Sequence, residues 1–440
     1  MRFSTFEQIV KYMERFTNLE RKPDLYSSKT YGLERIREIL EIIGNPQNSY
    51  KTIHIAGSKG KGSTASFIAK GLNAAGFRTG LYMSPHVSDY RERFTLAGKF
   101  ADEQVLVATG NMLAQMLENY TKEPTTFEMY TAFAFLLFKN LKCEWAVIET
   151  GLGGRLDATN TLLPQACVFT PIELEHTDLL GNTIHDIAVE KSKIITKGTQ
   201  VFISRQPEEA MQVLKAESES NKCKVSSLDE NISEITTYVS NLHQHVEISY
   251  KDGYSTKLDL EMLGEVQAYN CALAILVLRT LGLYRNKKTD YELEKVTLEG
   301  RMEKAFFERK LFIDGAHTAN SIANLVKTFR QIYPGKNGIC IFGSVLGKKY
   351  EQMLHTILDN FDNVVICRPG NFKPSDPKGL YITAKSAAPD KNIVLKEEAD
   401  DALQYCLDNS TQDTPVLVCG SFYLAGVIKE ALKCRCKAEE

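Results

Sequence analysis

The stretch Gly57–Thr64, with the sequence GSKGKGST, follows the short apolar run KTIHIA at Lys51–Ala56. Beyond it, small and apolar residues recur with helical spacing until Gly76. The pattern predicts a strand, a glycine-rich loop and a helix in series. Such a loop can bind phosphate, because its glycines let backbone N–H groups approach the oxygens at the positive end of the helix dipole. The alternative is a glycine-rich turn with a solvated Lys61.

The loop departs from the usual G-x-x-x-x-G-K-[ST] form. The residue after Lys61 is Gly62, where most phosphate-binding loops carry a Ser or Thr hydroxyl for Mg²⁺. If this loop binds a nucleotide together with a metal, another segment of the chain has to supply that hydroxyl.

Polar residues also follow the other strand-like runs of the first half. RTGLYM ends shortly before Ser84, EWAVIE ends at Glu149, and QACVFTPI ends shortly before His176. Alternation of such runs with helical segments predicts a parallel α/β sheet, whose ligands bind beyond the carboxyl ends of the strands. A carboxylate at the end of a buried run is costly to hold without a cation or hydrogen bonds, so Glu149 is a candidate metal or ligand residue.

The rest of the chain shows two further patterns. Alternating residues over 201–263, around the turn Lys251–Gly253, predict an antiparallel hairpin insertion. A second series of apolar runs and helical periods follows. We therefore predict an α/β protein with a P-loop-type, mostly parallel sheet domain and its hairpin insertion at residues 1–296. A smaller Rossmann-like α/β domain follows at residues 297–440.

Composition excludes several classes of function. The 440 residues carry a formal net charge of −2, so no basic surplus favours nucleic acid as a partner. No window offers the roughly twenty consecutive apolar residues of a membrane span, and the N-terminus lacks a signal-peptide core. The ten cysteines are scattered without the paired spacing of a zinc site. We expect a cytoplasmic protein that binds small molecules and neither membrane nor nucleic acid.

A series of blocks resembles, in order, the signature blocks of one enzyme family. The blocks are IAGSKGKGST, GLYMSPHVSDYRERF, TTFEMYTAFAFLLF, VIETGLGGRLDATN, ELEHTDLLGNTIHDIAVEKSKII, LEGRMEK, FIDGAHTAN and LVCGSFYLAG. They resemble folylpolyglutamate synthase and dihydrofolate synthase, which belong to the Mur ligase superfamily. The resemblance extends from about Tyr26 to Val427 and therefore covers nearly the whole chain.

The resemblance implies where metal is held. It places a first Mg²⁺ between the hydroxyl of Ser84 and the carboxylate of Glu149, and it makes His176 a ligand of a second metal. Lys191 matches a lysine that can be carbamylated in this family, which would turn an ammonium into an oxygen donor. From the residues alone, Ser84 is equally a turn residue, and a lone histidine such as His176 is more often structural than a ligand. Lys191 has the alternative of a helix-surface lysine paired with a glutamate. EKSK stands where the family usually has Glu-Lys-Ala-Gly, so the carbamate is a hypothesis.

The resemblance also implies that ATP contacts both halves of the chain. Asn270 suits an adenine edge, whereas Arg301, Asp314 and His317 reach back to the phosphates and ribose. Without the resemblance, Arg301 is equally a surface arginine and DGAH a helix cap. The predicted ATP-binding residues are Gly57, Gly60, Lys61, Gly62, Ser63, Asn270, Arg301 and Asp314. The predicted catalytic residues are Lys61, Glu149, His176, Lys191 and His317.

Two blocks match segments that line the folate site of the family. The predicted substrate-binding residues are Thr125, Thr126, Phe127, Glu128, Leu156, Asp157 and Ala158. Asp157 is the first of these to test, whereas Phe127 is equally explained as a core residue. The stretch SSKTYGLERI at Ser27–Ile36 matches only loosely.

The resemblance implies an ATP-dependent ligase with two Mg²⁺ ions, expected to be a monomer. It would add L-glutamate to dihydropteroate, to a folate (poly)glutamate tail, or to both, through an acyl phosphate. The sequence leaves the acceptor and the number of glutamates open. The alternatives are a Mur-type amide ligase for another carboxylate acceptor and a P-loop kinase or nucleotide-binding regulator. A kinase would not need a second α/β domain that bears Arg301, Asp314 and His317.

Overall fold

The computed structural model describes residues 2–21, 32–305, 310–335 and 337–439. Ser27–Tyr31, the first part of the loosely matched stretch, lies outside the described residues. Within the described ranges the chain forms three sheets, and helices cover the two larger ones.

The first sheet lies in the first half of the chain and is mostly parallel. Its strands are β1 Lys51–Ala56, β2 Thr79–Tyr82, β3 Phe94–Leu96, β4 Lys99–Phe100, β5 Trp145–Glu149, β6 Ala166–Phe169, β7 Gln200–Ile203 and β8 Lys224–Ser227. Their order is β4-β3-β2-β5-β1-β6-β7-β8, and the six strands from β2 to β8 run parallel. The central strands are buried almost throughout, as expected for a sheet covered on both faces. The predicted parallel sheet is confirmed.

Helices pack on both faces of this sheet. They are α1 Phe6–Glu14, α2 Glu34–Ile42, α3 Lys61–Ala74, α4 Glu103–Met116, α5 Thr126–Asn140, α6 Thr177–Leu180, α7 Ile184–Ser192, α8 Glu208–Ser220, α9 Leu228–Asn231, α10 Glu265–Thr280 and α11 Lys287–Glu294. The helix predicted after the glycine-rich loop is α3, and it packs closely against α10. A Cβ on Gly71 would lie 2.1 Å from Leu278, so glycine is required for this approach.

The hairpin insertion exists but is shorter than predicted. It comprises β9 Ile232–Ser240, β10 His243–Tyr250 and β11 Ser255–Leu260, which form an antiparallel sheet. The predicted turn at Lys251–Gly253 joins β10 to β11. The prediction was wrong for residues 201–231, which form β7, α8, β8 and α9 instead. Val201–Ile203 are buried on both faces, so this short apolar run belongs to a parallel sheet.

The second unit is a smaller parallel α/β sheet. Its strands are β12 Glu303–Lys304, β13 Lys310–Ile313, β14 Ile339–Phe342, β15 Asn363–Ile366, β16 Asn392–Leu395 and β17 Pro415–Cys419, in the order β12-β13-β17-β14-β15-β16. Only β12 pairs antiparallel within the described residues. Its helices are α12 Ala319–Ile332, α13 Tyr350–Asn360, α14 Pro377–Ala387, α15 Ala399–Asp408 and α16 Phe422–Glu439.

The turn between β9 and β10 attaches the insertion to the second unit. Val239 and Leu242 pack against the core of that unit, and Lys304 Nζ donates to the carbonyl oxygen of Leu242 over 2.8 Å. The domain boundary between residues 296 and 297 stays a prediction. None of the described helices combines the length and the apolar composition that a bilayer crossing requires.

Candidate active site

The parallel strands of the first sheet end at a cavity of about 1490 Å³. Its opposite wall comes from the second unit, including the starts of α12 and α16. Of the predicted site residues, Gly57 and Lys191 lie behind the wall. The others line the cavity, and they are Gly60, Lys61, Gly62, Ser63, Ser84, Thr125, Thr126, Phe127, Glu128, Glu149, Leu156, Asp157, Ala158, His176, Asn270, Arg301, Asp314 and His317.

The glycine-rich loop turns from β1 into α3. Gly60 has a φ of +82°, and a Cβ there would lie 2.6 Å from Oδ1 of Asn270. Because α3 begins at Lys61, the N–H groups of its first turn lack partners within the helix and favour an anion such as phosphate. Lys61 Nζ donates to the carbonyl oxygen of Gly57 over 3.1 Å and lies 4.0 Å from Glu149. The local structure therefore suits phosphate binding.

Asn270 supports this loop through both ends of its amide. Its Oδ1 accepts a hydrogen bond from the Thr64 hydroxyl at 3.4 Å, and its Nδ2 donates to Gln267 over 3.0 Å. The structure thus places Asn270 against the loop, and its predicted contact with adenine stays a prediction.

Ser84 and Glu149 meet at the ends of two neighbouring strands, β2 and β5. The Ser84 N–H donates to Oε2 of Glu149 over 3.1 Å, and Gly62 faces the same oxygen, 3.6 Å from where its Cβ would stand. Glu149 is only 5% exposed. Burial raises the pKa of this carboxyl, whereas the nearby Lys61 lowers it. The structure therefore brings a carboxylate and a serine beside the loop where Gly62 lacks a hydroxyl.

These donors suit one Mg²⁺ that shares its coordination shell with phosphate. Mg²⁺ prefers hard oxygen ligands and usually takes only one or two from the protein. Across the part of the chain that the structure describes, no group of three or more His, Cys, Asp or Glu side chains is placed to hold a metal. Ser84 and Glu149 fit a Mg²⁺ whose remaining ligands are water and the nucleotide, not one enclosed by protein.

His176 is the N-cap residue that precedes the short helix α6 and is exposed to the cavity, with a φ of +48°. Desolvation by the surrounding walls lowers the pKa of His176 to about 4; Glu175 opposes this effect and Lys348 adds to it. The ring is therefore neutral near pH 7. Its nitrogens can accept a hydrogen bond or bind a cation.

Lys191 is buried behind the loop and paired with Glu175, so the alternative of a surface lysine was wrong about its position. Its Nζ lies 3.0 Å from Glu175 and donates to the Gly57 carbonyl oxygen over 2.9 Å. Lys59 lies 3.8 Å from the other oxygen of Glu175. Burial alone would raise the pKa of Glu175, but Lys191, Lys61 and Lys59 hold it far below its usual value. Glu175 is therefore a carboxylate that organises the cations behind the loop.

Three predicted residues of the second unit lie together across the cavity. Asp314 accepts N–H groups from Met302 and Ala316, each over 2.7 Å, so it fixes the backbone on either side of it. The guanidinium of Arg301 lies 4.2 Å from the ring centre of Phe422. Both face the cavity that the phosphate-binding loop also lines.

His317 is neutral and its tautomer follows from its partner. Nδ1 lies 2.8 Å from the carbonyl oxygen of Gly315, which can only accept, so Nδ1 carries the proton. Burial, with Lys59 and Lys348 nearby, lowers the pKa of His317 to about 3. The Nε2 lone pair is therefore available as an acceptor.

Two predicted folate-site residues form the N-terminal cap of α5. The Thr125 hydroxyl accepts the Glu128 N–H over 3.2 Å, and Glu128 accepts the Thr125 N–H over 2.6 Å. Glu128 also pairs with Arg35 at 3.1 Å, and Thr126 donates to the Phe16 carbonyl oxygen over 3.1 Å. These contacts orient the cavity wall and attach the N-terminal segment to it.

The apolar part of that wall comes from Phe127, Leu156 and Ala158. A Cβ on Gly151 would lie 2.4 Å from the Phe127 ring, so the ring packs closely against the glycine-rich turn after β5. An apolar surface with an aromatic ring suits a planar heterocycle.

Asp157 closes the loop that carries this wall. Its carboxylate accepts the N–H of Leu152 over 2.8 Å, and the N–H and hydroxyl of Thr159 over 3.0 and 2.5 Å. The Thr159 hydroxyl in turn lies 2.8 Å from Nε2 of His54 in the centre of β1. Since that hydroxyl donates to Asp157, Nε2 of His54 must be the donor. Asp157 thus acts as a loop organiser that is anchored in the sheet.

His54 gives a prediction about stability and pH. Burial lowers its pKa to about 3 in the folded protein, against about 6.5 unfolded. Below pH 6.5 the unfolded chain therefore binds a proton that the folded chain refuses, so stability falls as pH falls. Between pH 7 and pH 5 this histidine should lower the free energy of unfolding by about 2 kcal/mol. Urea unfolding of wild type and His54→Gln at both pH values measures it, because the variant lacks this pH dependence.

The matched control is His185→Gln, since His185 lies exposed on α7. This variant should keep the wild-type pH dependence. If the free energies of unfolding of wild type and His54→Gln differ by the same amount at both pH values, His54 is not held neutral in the folded protein.

The sequence analysis also missed cationic residues that line the cavity. Lys59 stands within the quoted loop, and Lys348 and Lys373 follow strands of the second unit. Burial lowers the pKa of both Lys348 and Lys373, and Lys373 further lowers that of Lys348. Their positions after strand ends were a usable signal. They make the cavity suited to ligands that carry several negative charges.

Comparison with protein families agrees with this geometry. Residues 55–278 match the Mur ligase middle domain, and residues 300–422 match the Mur ligase glutamate ligase domain. The first match includes the phosphate-binding loop and the ends of β2 and β5. The second match begins at Gly300, beside Arg301.

Individual relatives match over nearly the full chain. The dihydrofolate synthetase of Saccharomyces cerevisiae is 30% identical over 90% of this chain and 96% of its own. The folylpolyglutamate synthase of Mycobacterium tuberculosis complexed with ADP superposes with a TM-score of 0.84 and 27% identity, over 97% of this chain and 98% of that one. An FPGS–AMPPCP–folate complex gives a TM-score of 0.82 and 26% identity, over 98% of this chain and 100% of that one.

The family membership predicted from the sequence blocks is thus confirmed by the family matches, by the sequence relatives and by the solved structures. The chain belongs to the folylpolyglutamate synthase and dihydrofolate synthase family of the Mur ligases.

Proposed function

We propose that this protein is an ATP-dependent ligase that joins L-glutamate to the carboxylate of dihydropteroate or of a folate. The observation that carries the proposal is a single cavity in which a phosphate-binding loop, a buried carboxylate and residues of the second unit face one another. The relatives support it, because solved folylpolyglutamate synthases bind ADP, or AMPPCP together with folate.

The chemistry requires an activated carboxylate. An amine does not displace oxide from a carboxylate in water, because oxide is a poor leaving group. Transfer of the γ-phosphoryl group of ATP to the carboxylate gives ADP and an acyl phosphate. The amine of glutamate then attacks the acyl carbon, and the tetrahedral intermediate expels phosphate to leave the amide.

The residues of this chain bind and stabilise the charge that moves in these steps. The first-turn N–H groups of α3 and the ammonium of Lys61 face the phosphates from one side. Arg301 faces the same space from the second unit. Charged donors fixed in advance on both sides stabilise a phosphoryl group in transit, because they need no rearrangement during transfer.

We further propose that Ser84 and Glu149 hold a Mg²⁺. The ion would neutralise charge on the β- and γ-phosphate oxygens when ATP is bound. It would also compensate the buried Glu149, for which Lys61 at 4.0 Å is only a distant partner.

A second Mg²⁺ and a carbamate on Lys191 depend on each other. The ammonium groups of Lys191 and Lys59 lie 3.0 and 3.8 Å from Glu175, and two such charges disfavour another cation there. Carbamylation would remove the charge of Lys191 and add oxygen donors beside His176. Burial lowers the pKa of Lys191, which increases the neutral amine that reacts with CO₂. Both the carbamate and the second ion stay predictions from the resemblance.

The proposed role of His317 is to orient glutamate. A neutral ring with a free Nε2 lone pair accepts a hydrogen bond from an incoming amine. This differs from the contact with phosphates and ribose that the resemblance implied, because a ring whose proton lies on Nδ1 cannot donate through Nε2. Lys348 and Lys373 are suited to the carboxylates of the same substrate.

Glutamate-dependent ADP release tests the function. Purified protein with ATP, Mg²⁺ and either dihydropteroate or tetrahydrofolate should release more ADP when glutamate is added, and the product should gain a glutamyl group. Product analysis with each acceptor separately distinguishes the two activities. No glutamate effect with either acceptor would contradict the ligase assignment. Glutamate-independent phosphoryl transfer would indicate a kinase, and ATP binding without turnover a regulator.

The cytoplasmic location and the monomeric state expected from the sequence both stay predictions.

A further inference from the structure

The segment after β2, which we call the Ser84 loop and define as residues 83–89, extends from the cavity to the second unit. At one end Ser84 contacts Glu149. Three residues later, Val87 packs against the core of the second unit. Its carbonyl oxygen would lie only 2.3 Å from a Cβ on Gly426 of α16. The loop that carries the predicted metal ligand is therefore seated on the other unit.

Glu92 fixes the conformation of this loop. Its carboxylate accepts three successive backbone N–H groups, from Val87 over 2.7 Å, Ser88 over 2.9 Å and Asp89 over 2.6 Å. The hydroxyl of Ser88 then donates to Glu299 over 2.7 Å, which crosses to the segment that carries Arg301.

Lys429 joins both ends of that segment, which we call the Arg301 turn and define as residues 299–303. Its Nζ lies 2.5 Å from Glu299 and 2.6 Å from Glu303. The second oxygen of Glu303 accepts the N–H of Gly300 over 2.8 Å, so the turn closes on itself. The Lys429 side chain is only 9% exposed, so its ammonium is largely shielded from water where it binds the two glutamates.

The charges explain why a lysine is needed at this point. Glu92, Glu299 and Glu303 gather where the Ser84 loop meets the Arg301 turn, and neighbouring Asp89 is already paired with Arg91. Burial raises the pKa of Glu92. Burial would also raise that of Glu299, but hydrogen bonds from Lys429 and Ser88 hold it below its usual value. Without Lys429, Glu299 and Glu303 would lose their shared cation and would repel one another beside the Ser84 loop.

We propose that Lys429 is a positioning residue for nucleotide binding. Its ammonium holds Glu299 within the Arg301 turn of the second unit, where Glu299 accepts the Ser88 hydroxyl of the Ser84 loop, so that Arg301 and Ser84 act on the same phosphate groups. Lys429 lies on α16 and does not line the cavity. This proposal rests on the proposed binding of ATP in the cavity.

Calorimetric binding of ADP in the presence of Mg²⁺ tests the proposal together with steady-state kinetics. Lys429→Met should weaken ADP roughly tenfold, because a buried charged hydrogen-bond network is lost. The KM for ATP should rise in proportion, and the KM for the folate acceptor should not change. Lys429→Arg should restore most of the affinity. Ser88→Ala, which removes a single hydroxyl from the same contact, should weaken ADP about threefold.

The matched control is Lys433→Met. Lys433 lies one turn further along α16 and is exposed; its Nζ is 3.4 Å from the Ser88 hydroxyl but does not bridge the two glutamates. Its replacement removes the same charge and should leave ADP affinity unchanged.

The outcomes separate this proposal from the proposed function. If the wild type binds ADP and both Lys429→Met and Ser88→Ala bind it equally well, the positioning role is overturned and the function stands. If Lys429→Met does not fold, the ADP affinity of Ser88→Ala decides, and an affinity equal to that of the wild type overturns the positioning role. Lys429→Arg should then still bind ADP nearly as well as the wild type. A wild type that binds no ADP would overturn the proposed function and this proposal with it.

Discussion

Replacement of Glu149 by Gln is expected to lower kcat/KM about a thousandfold. Gln has the shape of Glu but lacks the negative charge that attracts Mg²⁺. Metal-assisted stabilisation of phosphoryl transfer is worth several kcal/mol, and its loss accounts for an effect of this size. The fold should survive, because Gln has nearly the same volume and can still accept the Ser84 N–H that binds Oε2 at 3.1 Å. Steady-state ADP release and thermal unfolding measure the two effects.

The control for this variant lies at the other end of the same strand. Glu144 precedes β5, is exposed, and accepts the backbone N–H of Arg78 over 3.1 Å. Glu144→Gln should retain wild-type activity, because an amide oxygen also accepts that bond. If Glu149→Gln keeps activity within about threefold of the wild type, its carboxylate is not the metal ligand and the proposed site is wrong.

Gly57→Ala should weaken nucleotide binding at least about a hundredfold. A Cβ at this position would lie 1.9 Å from Oγ1 of Thr170 and 2.8 Å from its carbonyl oxygen, and Gly57 has a φ of +147°. Rotation of the threonine relieves only the first contact, so the backbone has to move. The Gly57 carbonyl oxygen accepts hydrogen bonds from Lys61 and Lys191, and both would be displaced together with the loop.

Gly76→Ala provides the comparison for this second variant. Gly76 also has a positive φ, of +100°, but no atom lies within 4 Å of an added Cβ. That variant should lose about 1 kcal/mol of stability through backbone strain and keep its affinity for ADP. Calorimetric titration of both variants with ADP measures the contrast. Equal affinities would show that close packing of Gly57 does not shape the phosphate site.

The strand ends could be predicted because their signal is local. An apolar run followed by a polar residue marks the carboxyl end of a parallel strand, and such ends meet at one edge of the sheet. Ser84 and Glu149 therefore came together as the sequence indicated, although only Glu149 is by itself a candidate metal or ligand residue. The resemblance supplied their pairing, and the parallel order of β2 and β5 explains it.

The remaining contacts depend on tertiary packing and leave no local signal. Glu175 lies beside Lys191 because α7 folds back behind the loop, and nothing in ELEHTDLLG shows this. Asn270 is of a residue type that often binds ligands. Because α10 approaches the loop, the Asn270 amide makes hydrogen bonds to Thr64 and Gln267 that support the loop. The Asp157 carboxylate likewise accepts hydrogen bonds from N–H groups of its own loop. For Asn270 and Asp157 the sequence identified a polar residue near the cavity but not the direction of its hydrogen bonds.

The second unit contacts the first through several separate segments. Lys304 donates to the turn between β9 and β10, Glu299 accepts the Ser88 hydroxyl, and Lys327 lies 2.7 Å from Glu265 of α10. A movement that separates the two units has to break these contacts. The pair of Lys327 and Glu265 costs least to break, because water solvates both exposed charges. Both residues line the cavity, so we expect product release to begin at this rim.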